Sequence, residues 1–97
     1  MDDEPRMQRR VVVDGHVQGV GYRAFARRMA LRFSIKGWVR NRRDGAVEAL
    51  VAGLPRNVES MIVELRRGPY GATVLDMRID DAADEDAGVE FKMLGTV

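Results

Sequence analysis

Apolar residues recur along the chain with two periods, and these periods predict where strands and helices lie. The β-branched run Val11-Val12-Val13 predicts a first strand over residues 8–14, buried on at least one face and central in its sheet. From Tyr22 to Phe33 the apolar residues recur every three or four positions, a spacing that only a helix places on one face. Arginines occupy most of the other positions, so we expect the opposite face of this helix to be exposed.

A β-hairpin and a second helix follow. Residues 35–52 alternate between apolar and polar positions on either side of Asp44-Gly45, a tight-turn pair, which predicts two antiparallel strands. We expect Trp38, in the first of these strands, to pack on the open face of the sheet. A second helix begins at Pro55, carries an apolar stripe at helical spacing, and ends before Gly68-Pro69.

The rest of the chain adds two strands. Apolar and charged residues alternate over residues 75–80 and again from Val89 to Met93, and residues 81–88 between them predict an acidic, exposed turn. The order βαββαβ with one strand added predicts an α+β fold, a ferredoxin-like sandwich in which two helices cover one face of an antiparallel sheet. Residues 1–7 are predicted to be a disordered lead-in, which leaves residues 8–97 as a single domain.

The composition argues against several classes of protein. There is no cysteine and His16 is the only histidine, so we expect neither a disulfide framework nor a zinc site. No apolar run is long enough to span a membrane and no signal peptide is evident, so we expect a cytoplasmic protein. Lys and Arg outnumber Asp and Glu by 11 to 6 over residues 1–50, whereas residues 51–97 carry 5 against 9. The basic half suits an anionic ligand, although arginines also solvate a helix face.

The connection between the first strand and the first helix has the pattern of an anion-binding loop. Glycines at positions 15, 19 and 21 allow positive φ angles, so consecutive backbone N–H groups can turn toward a phosphate-sized ion. The first-turn N–H groups of the next helix point the same way. Arg23 lies where the helix dipole is positive, a position that a bound dianion would make favourable. Glycines in such a connection are also ordinary turn residues, so the loop alone does not establish a function.

Two other interpretations compete for this loop. The run from Gly19 to Ala24, with Asp44 about twenty residues further on, matches the letters of a dinucleotide-binding fingerprint. That fingerprint requires a parallel, doubly wound sheet, for which this chain is too short. An RNA-recognition module shares the βαββαβ order and is the runner-up. Such modules stack bases on aromatic residues of the first and third strands, whereas the aromatic signal here, Trp38, falls on the second.

Three segments closely resemble motifs of the acylphosphatase family. They are Gly15-His16-Val17-Gln18-Gly19-Val20-Gly21-Tyr22-Arg23, Gly37-Trp38-Val39-Arg40-Asn41 and Asp44-Gly45-x-Val47-Glu48. The resemblance extends over residues 8–97 and implies a ferredoxin-like fold and hydrolysis of the carboxyl-phosphate anhydride bond of acyl phosphates, without a metal or cofactor. It also implies that Arg23 and Asn41 are catalytic and that the segment from Gly15 to Arg23 binds the phosphate.

Departures from the family pattern are small. Tyr22 stands where Phe is as common, and Phe33-Ser34 replaces the usual Leu-Gly at the end of the first helix. Ser34 would lower stability if its backbone is left-handed. We expect an acyl phosphate and inorganic phosphate as small-molecule ligands, no nucleic-acid or membrane partner, and a monomeric chain.

The residue types agree with this chemistry. An acyl phosphate has a good carboxylate leaving group, so holding the phosphoryl group in line with a water molecule is most of the task. The fork of Arg23 matches two phosphate oxygens, and the amide of Asn41 can orient the water. No Ser or Cys lies in the loop motif and His16 is interpreted as a hydrogen-bonding loop residue, so we predict direct attack by water. Arg23 could instead be a solvated arginine on the helix surface, and Asn41 could be a residue of the hairpin turn. The whole protein could also be a phosphate sensor without catalysis.

Overall fold

The computed structural model describes residues 6–97 and confirms the predicted fold class. The elements in chain order are β1 (Met7–His16), α1 (Tyr22–Arg32), β2 (Lys36–Asn41), β3 (Val47–Gly53), α2 (Pro55–Arg67), β4 (Thr73–Asp81) and β5 (Phe91–Met93). The lead-in was predicted over residues 1–7, and residues 1–5 of it lie outside the part of the chain that the structure describes. Met7, by contrast, belongs to β1 and packs partly against the core, so its assignment to the lead-in is wrong.

The five strands form one sheet in the order β4-β1-β3-β2-β5. The pairs are antiparallel except for β2 with β5, which run parallel, so the sheet is mixed at one edge. β1 has a neighbour on each side, as its β-branched run predicts. The prediction that the last strand begins at Val89 is wrong: only residues 91–93 come into register with Gly37–Val39, and Val89 is 83 % exposed.

Both helices pack on the same face of the sheet, and the core lies between them. The stripe predicted for α1 supplies Tyr22, Phe25, Ala26 and Ala30, and α2 supplies Val58, Met61 and Leu65. The inward positions of the strands are mostly valine, because β-branched side chains suit a pleated surface that is covered by helices. This single core holds the ends of β1 and β2 in fixed positions, and the loop and Asn41 lie at those ends.

The opposite face of the sheet carries charged groups around a buried carboxylate. Glu48 is 5 % exposed and accepts hydrogen bonds from Nε of Arg40 at 2.8 Å and from Nη1 of Arg10 at 3.4 Å. The guanidinium carbon of Arg40 lies 4.4 Å from the centroid of the Trp38 ring, which packs on this face as predicted. Arg10 also pairs with Glu85 from the β4–β5 connection.

The end of α1 contains the departure noted in the sequence. Phe33 N donates to Met29 O at 2.9 Å and Ile35 N donates to Ala30 O at 2.8 Å, which together close a Schellman-type end. That motif needs a left-handed residue between them, and Ser34 has a φ of 56°. Serine therefore occupies a position where glycine would be unstrained.

Candidate functional site

β1 ends in a bulge that brings it very close to β4. The register shifts between Asp14 and Gly15, so Leu75 of β4 is left without a partner in β1. Gly15 has a φ of 133°, and a Cβ atom at this position would lie 2.1 Å from the carbonyl oxygen of Thr73. Gly15 is therefore required for the close approach of two strands. His16 is the last residue of β1 and is exposed.

Residues 17–21, which we call the binding loop, connect β1 to α1. Val17 is buried and Val20 packs against the core, so these two side chains anchor the loop to the core. Gln18 anchors it from the side, because its Nε2 donates to Arg42 O at 2.7 Å and to Ala46 O at 2.8 Å. These two carbonyls belong to the β2–β3 turn, so Gln18 ties the binding loop to the hairpin that carries Asn41.

The backbone N–H groups of the binding loop are available to a ligand. Within residues 6–97, the amides of residues 18–21 donate to no protein acceptor. α1 starts at Tyr22 after Gly21, whose φ of 77° is left-handed, and no side chain caps this helix end. The first backbone bond of the helix runs from Phe25 N to Gly21 O at 3.0 Å, so the amides of residues 22–24 have no intrahelical acceptor. Such a set of free donors attracts an anion.

Tyr22 attaches the start of α1 to the end of α2. Its hydroxyl donates to the carbonyl oxygen of Leu65 at 2.5 Å. That carbonyl lacks an intrahelical donor, because residue 69 is a proline and has no N–H. Burial raises the pKa of the Tyr22 hydroxyl well above its ordinary value, so the group stays protonated and keeps donating.

Arg23 lies one residue into α1 and is not held by any acidic side chain of residues 6–97. It is half-buried, and its Nη1 makes a long contact of 3.4 Å with the carbonyl oxygen of Leu94. In the part of the chain that the structure describes, no Asp or Glu forms an ion pair with it. The guanidinium therefore keeps most of its donors free beside the amides of the binding loop.

Asn41 is the last residue of β2, and its backbone is fixed on two sides. It pairs with Val47 in β3, and its carbonyl oxygen accepts from Val97 N at 3.1 Å. Its side chain forms no hydrogen bond with any described residue. Asp44 closes the turn instead, since Ala46 N donates to its Oδ1 at 3.0 Å, and this bond together with nearby Arg42 lowers the pKa of Asp44.

These groups meet in one small cleft of about 150 Å³, which is a suitable size for a phosphoryl group. Its walls are Val17, Gly19, Gly21, Tyr22, Arg23, Ala24, Asn41 and Met93. The structure thus brings Arg23 and Asn41 together with part of the predicted phosphate-binding segment. Gly15, His16, Gln18 and Val20 were predicted for the same segment but do not line the cleft.

Sequence reasoning missed two residues that line the cleft, Ala24 and Met93. Met93 reaches it only because β5 pairs in parallel with β2, and no local pattern in the sequence predicts that pairing. Neither helix of the described chain has the length and apolar character to cross a bilayer. Among residues 6–97, no cluster of three His, Cys, Asp or Glu side chains could hold a metal ion.

The fold and the cleft define a small ferredoxin-like α+β protein whose strand-to-helix loop offers free amides and one arginine to an anion. Comparison with known proteins agrees with this class. The family model "Acylphosphatase" matches residues 9–93. An acylphosphatase of Rhizobium etli is 45% identical over 86 residues, which cover 89% of this chain and 92% of that protein.

Solved structures give the same result. The crystal structure of acylphosphatase from Bacillus subtilis superposes with a TM-score of 0.87 at 33% identity, covering 91% of this chain and 98% of the other. An acylphosphatase from Coxiella burnetii gives a TM-score of 0.88 at 28% identity, with coverage of 97% and 100%. The chain therefore belongs to the acylphosphatase family. None of these comparisons favours the RNA-recognition module considered above.

Proposed function

We propose that this chain hydrolyses the carboxyl-phosphate anhydride bond of acyl phosphates and releases a carboxylate and inorganic phosphate by direct, in-line attack of water. The observation that carries this proposal is the set of binding-loop amides that are free within the described chain, next to a guanidinium that has no acidic partner among the same residues. Membership of the acylphosphatase family supports the same reaction.

The binding loop and Arg23 are proposed to hold the phosphoryl group. Backbone amides at the helix start and the two-pronged guanidinium give fixed donors for the phosphate oxygens. In phosphoryl transfer the charge spreads over the three equatorial oxygens, so donors that are already in place stabilise the transition state without reorganising. Arg23 therefore serves both binding and turnover.

Asn41 is proposed to orient the attacking water. Its side chain is free of other hydrogen bonds in the described chain and lines the same cleft as Arg23. An amide has one acceptor and two donors, so it can hold a water by its hydrogen and direct the oxygen toward phosphorus. The carboxylate leaving group is a weak base, so its departure needs little protonation.

A covalent phosphoenzyme is not part of the proposal. Among the residues that line the cleft, the only hydroxyl belongs to Tyr22, and it is buried, protonated and bonded to Leu65 O. The family resemblance supports a reaction without a cofactor. We also propose a cytoplasmic location and no nucleic-acid partner, which the lack of cysteine and the near-zero net charge of +1 support.

The decisive experiment is hydrolysis of benzoyl phosphate by the purified full chain, followed with and without excess EDTA. We expect turnover in both conditions and competitive inhibition by inorganic phosphate. A chain that binds phosphate, seen as a rise in Tm with phosphate concentration, but releases no benzoate would instead be a phosphate sensor. Loss of turnover in EDTA would contradict the metal-free mechanism.

A further inference from the structure

A second cavity, which we call the side cavity, adjoins the cleft between α1 and β5. Its volume is about 330 Å³, and its apolar walls are Phe91, Met93 and Leu94. Met93 also lines the cleft, so the two spaces meet at this side chain. Small-molecule sites have volumes of about 300–1,000 Å³ and are lined mainly by apolar groups. The cleft alone has about 150 Å³, so the side cavity supplies the room that a phosphoryl group with an acyl group attached needs.

The side cavity extends away from the start of α1. On α1 the cleft is lined by residues 22–24, whereas the side cavity is lined by Arg27, one turn further along the helix. The strands show the same direction. β2 and β5 run parallel with Val39 beside Met93, and Asn41 lies two residues beyond Val39. Phe91 lies two residues before Met93, so the side cavity extends from Met93 toward Phe91 and away from Asn41.

This direction suits an in-line displacement. The attacking and leaving oxygens lie on opposite sides of phosphorus in phosphoryl transfer. If Asn41 holds the attacking water, the carboxylate leaving group points away from Asn41, and the acyl group that carries it enters the side cavity. The cleft and the side cavity are both formed by residues of one chain, so the monomer expected from the sequence is sufficient for this arrangement.

The walls of the side cavity suit an apolar acyl group. Phe91 is 7% exposed and belongs to the core, Leu94 is partly buried, and Met93 is 44% exposed at the junction with the cleft. A methionine side chain is flexible and its sulfur makes favourable contacts with aromatic rings. The exposed outer rim carries three charged residues, Arg27, Glu90 and Lys92. Because the rim has both signs of charge and faces solvent, it selects weakly for a charged acyl group.

We propose that the side cavity binds the acyl group of the substrate and that Met93 makes the chain prefer aromatic acyl phosphates to acetyl phosphate. This inference rests on the proposed hydrolysis of acyl phosphates and adds the class of acyl group to it. Met93 contacts the acyl group in the bound substrate and in the transition state alike, so its contribution appears in KM rather than in kcat.

Steady-state kinetics with benzoyl phosphate and acetyl phosphate test the proposal. In Met93→Ala we expect kcat/KM for benzoyl phosphate to fall by about tenfold, mainly through KM, while the value for acetyl phosphate changes by less than about twofold. Met93→Leu keeps an apolar side chain of similar volume and should keep the wild-type ratio of the two values. The control Val89→Ala removes an exposed apolar side chain that lines neither the cleft nor the side cavity, and it should change neither value.

Binding of phosphonates separates this proposal from the proposed function. Benzylphosphonate and methylphosphonate carry the same anionic head and have no anhydride bond to hydrolyse, and NMR shifts of the Met93 methyl group measure their affinities. Wild type should bind benzylphosphonate about fivefold more tightly, and Met93→Ala should bind both alike. This result would support the side cavity even if neither acyl phosphate were hydrolysed, which would contradict the proposed function alone. Equal affinities in wild type, or equal losses of kcat/KM for both substrates in Met93→Ala, overturn the proposal.

Discussion

Two connections lie at opposite ends of the sheet and differ in how their polar groups are hydrogen-bonded. The binding loop follows His16, next to the β2–β3 turn, whereas residues 82–90, which we call the closing loop, follow Asp81 beside the start of β1. In the closing loop, polar groups form hydrogen bonds with other groups of the protein. Gln8 Nε2 donates to Ala82 O at 2.6 Å and to Glu85 O at 2.5 Å, and Ala82 N donates to Gln8 O at 3.1 Å.

The contrast separates a loop whose polar groups complete the fold from a loop whose free amides are proposed to bind a ligand. Both loops are anchored by one glutamine, Gln8 in the first case and Gln18 in the second. In the closing loop the glutamine bonds to the loop's own carbonyls. In the binding loop Gln18 reaches away to the hairpin and leaves the loop amides free. Free donors at a partly enclosed site lower stability slightly, and the proposed phosphate site would give them acceptors.

The largest expected effect comes from Arg23→Ala, which removes the charged group of the proposed phosphate site. We expect kcat/KM for benzoyl phosphate to fall by about a hundredfold or more, and inhibition by inorganic phosphate to disappear, since one group serves ground state and transition state. Arg32→Ala, at the other end of α1, is the matched control and should keep near-normal kinetics. Near-normal rates in Arg23→Ala would remove this residue from the site.

Asn41→Ala should separate turnover from binding. If the amide orients water, kcat should fall by about a hundredfold while KM and the inhibition constant of phosphate change little, because a transition-state interaction alone is lost. Steady-state kinetics with benzoyl phosphate and phosphate as inhibitor measure both quantities. A large loss of phosphate affinity with kcat preserved would assign Asn41 to phosphate binding instead.

The two glutamines test the comparison of the loops directly. Gln18→Ala should lower kcat/KM by about tenfold, because the binding loop loses its attachment to the hairpin that carries Asn41. Gln8→Ala should cost about 1–2 kcal/mol in the free energy of unfolding, since two part-buried carbonyls lose their donor, and should leave kcat/KM unchanged. Urea denaturation gives the free energy of unfolding of each variant, and steady-state kinetics give its kcat/KM. Equal effects of the two substitutions on activity would contradict the distinction between the loops.

Tyr22→Phe should destabilise the protein by about 1–2 kcal/mol, because Leu65 O is left without a donor. The pKa of this hydroxyl is raised in the folded state, so its contribution is fully present below the ordinary tyrosine pKa of about 10 and is lost as the pH rises further. The stability difference between wild type and Tyr22→Phe should therefore shrink above about pH 10. Tm values of both proteins from neutral to strongly alkaline pH measure it, and a constant difference would contradict the assignment.

Ser34→Gly should give the smallest effect and the only gain. Glycine has no Cβ to strain at a φ of 56°, so we expect about 0.5–1 kcal/mol of added stability and unchanged kinetics. Ser34→Ala keeps the strain and is the control. Thermal unfolding distinguishes the two, and an equal Tm for both variants would show that the left-handed angle costs little.

Local sequence patterns were sufficient to predict most of the fold. The helical spacing of Tyr22, Phe25 and Met29, the Asp44-Gly45 turn and the Gly68-Pro69 helix end each act over a few residues, and the structure has all of these elements. The parallel pairing of β5 with β2 joins residues about fifty positions apart and depends on the whole sheet, so alternation alone misplaced the start of the last strand at Val89.

In the candidate site, too, the residues of contiguous motifs were predictable and the roles that depend on distant contacts were not. Arg23 and Asn41 stood out because their motifs are contiguous in sequence, and the structure brings both to one cleft. The roles of Gly15 and Gln18 were not accessible, because one depends on the carbonyl of Thr73 and the other on the carbonyls of Arg42 and Ala46. An isolated glycine in a strand is a known signal of a bulge, and it is the one clue that the sequence offered for Gly15.

The buried carboxylate on the open face of the sheet constrains how this surface can change. Glu48 is neutralised by Arg10 and Arg40 together, so losing either arginine leaves a partly compensated charge, while apolar residues in all three positions would leave none. Intermediates on a stepwise mutational route would be less stable than either end point. The three positions are therefore expected to be exchanged as a set, and a redesign of this face should replace them together.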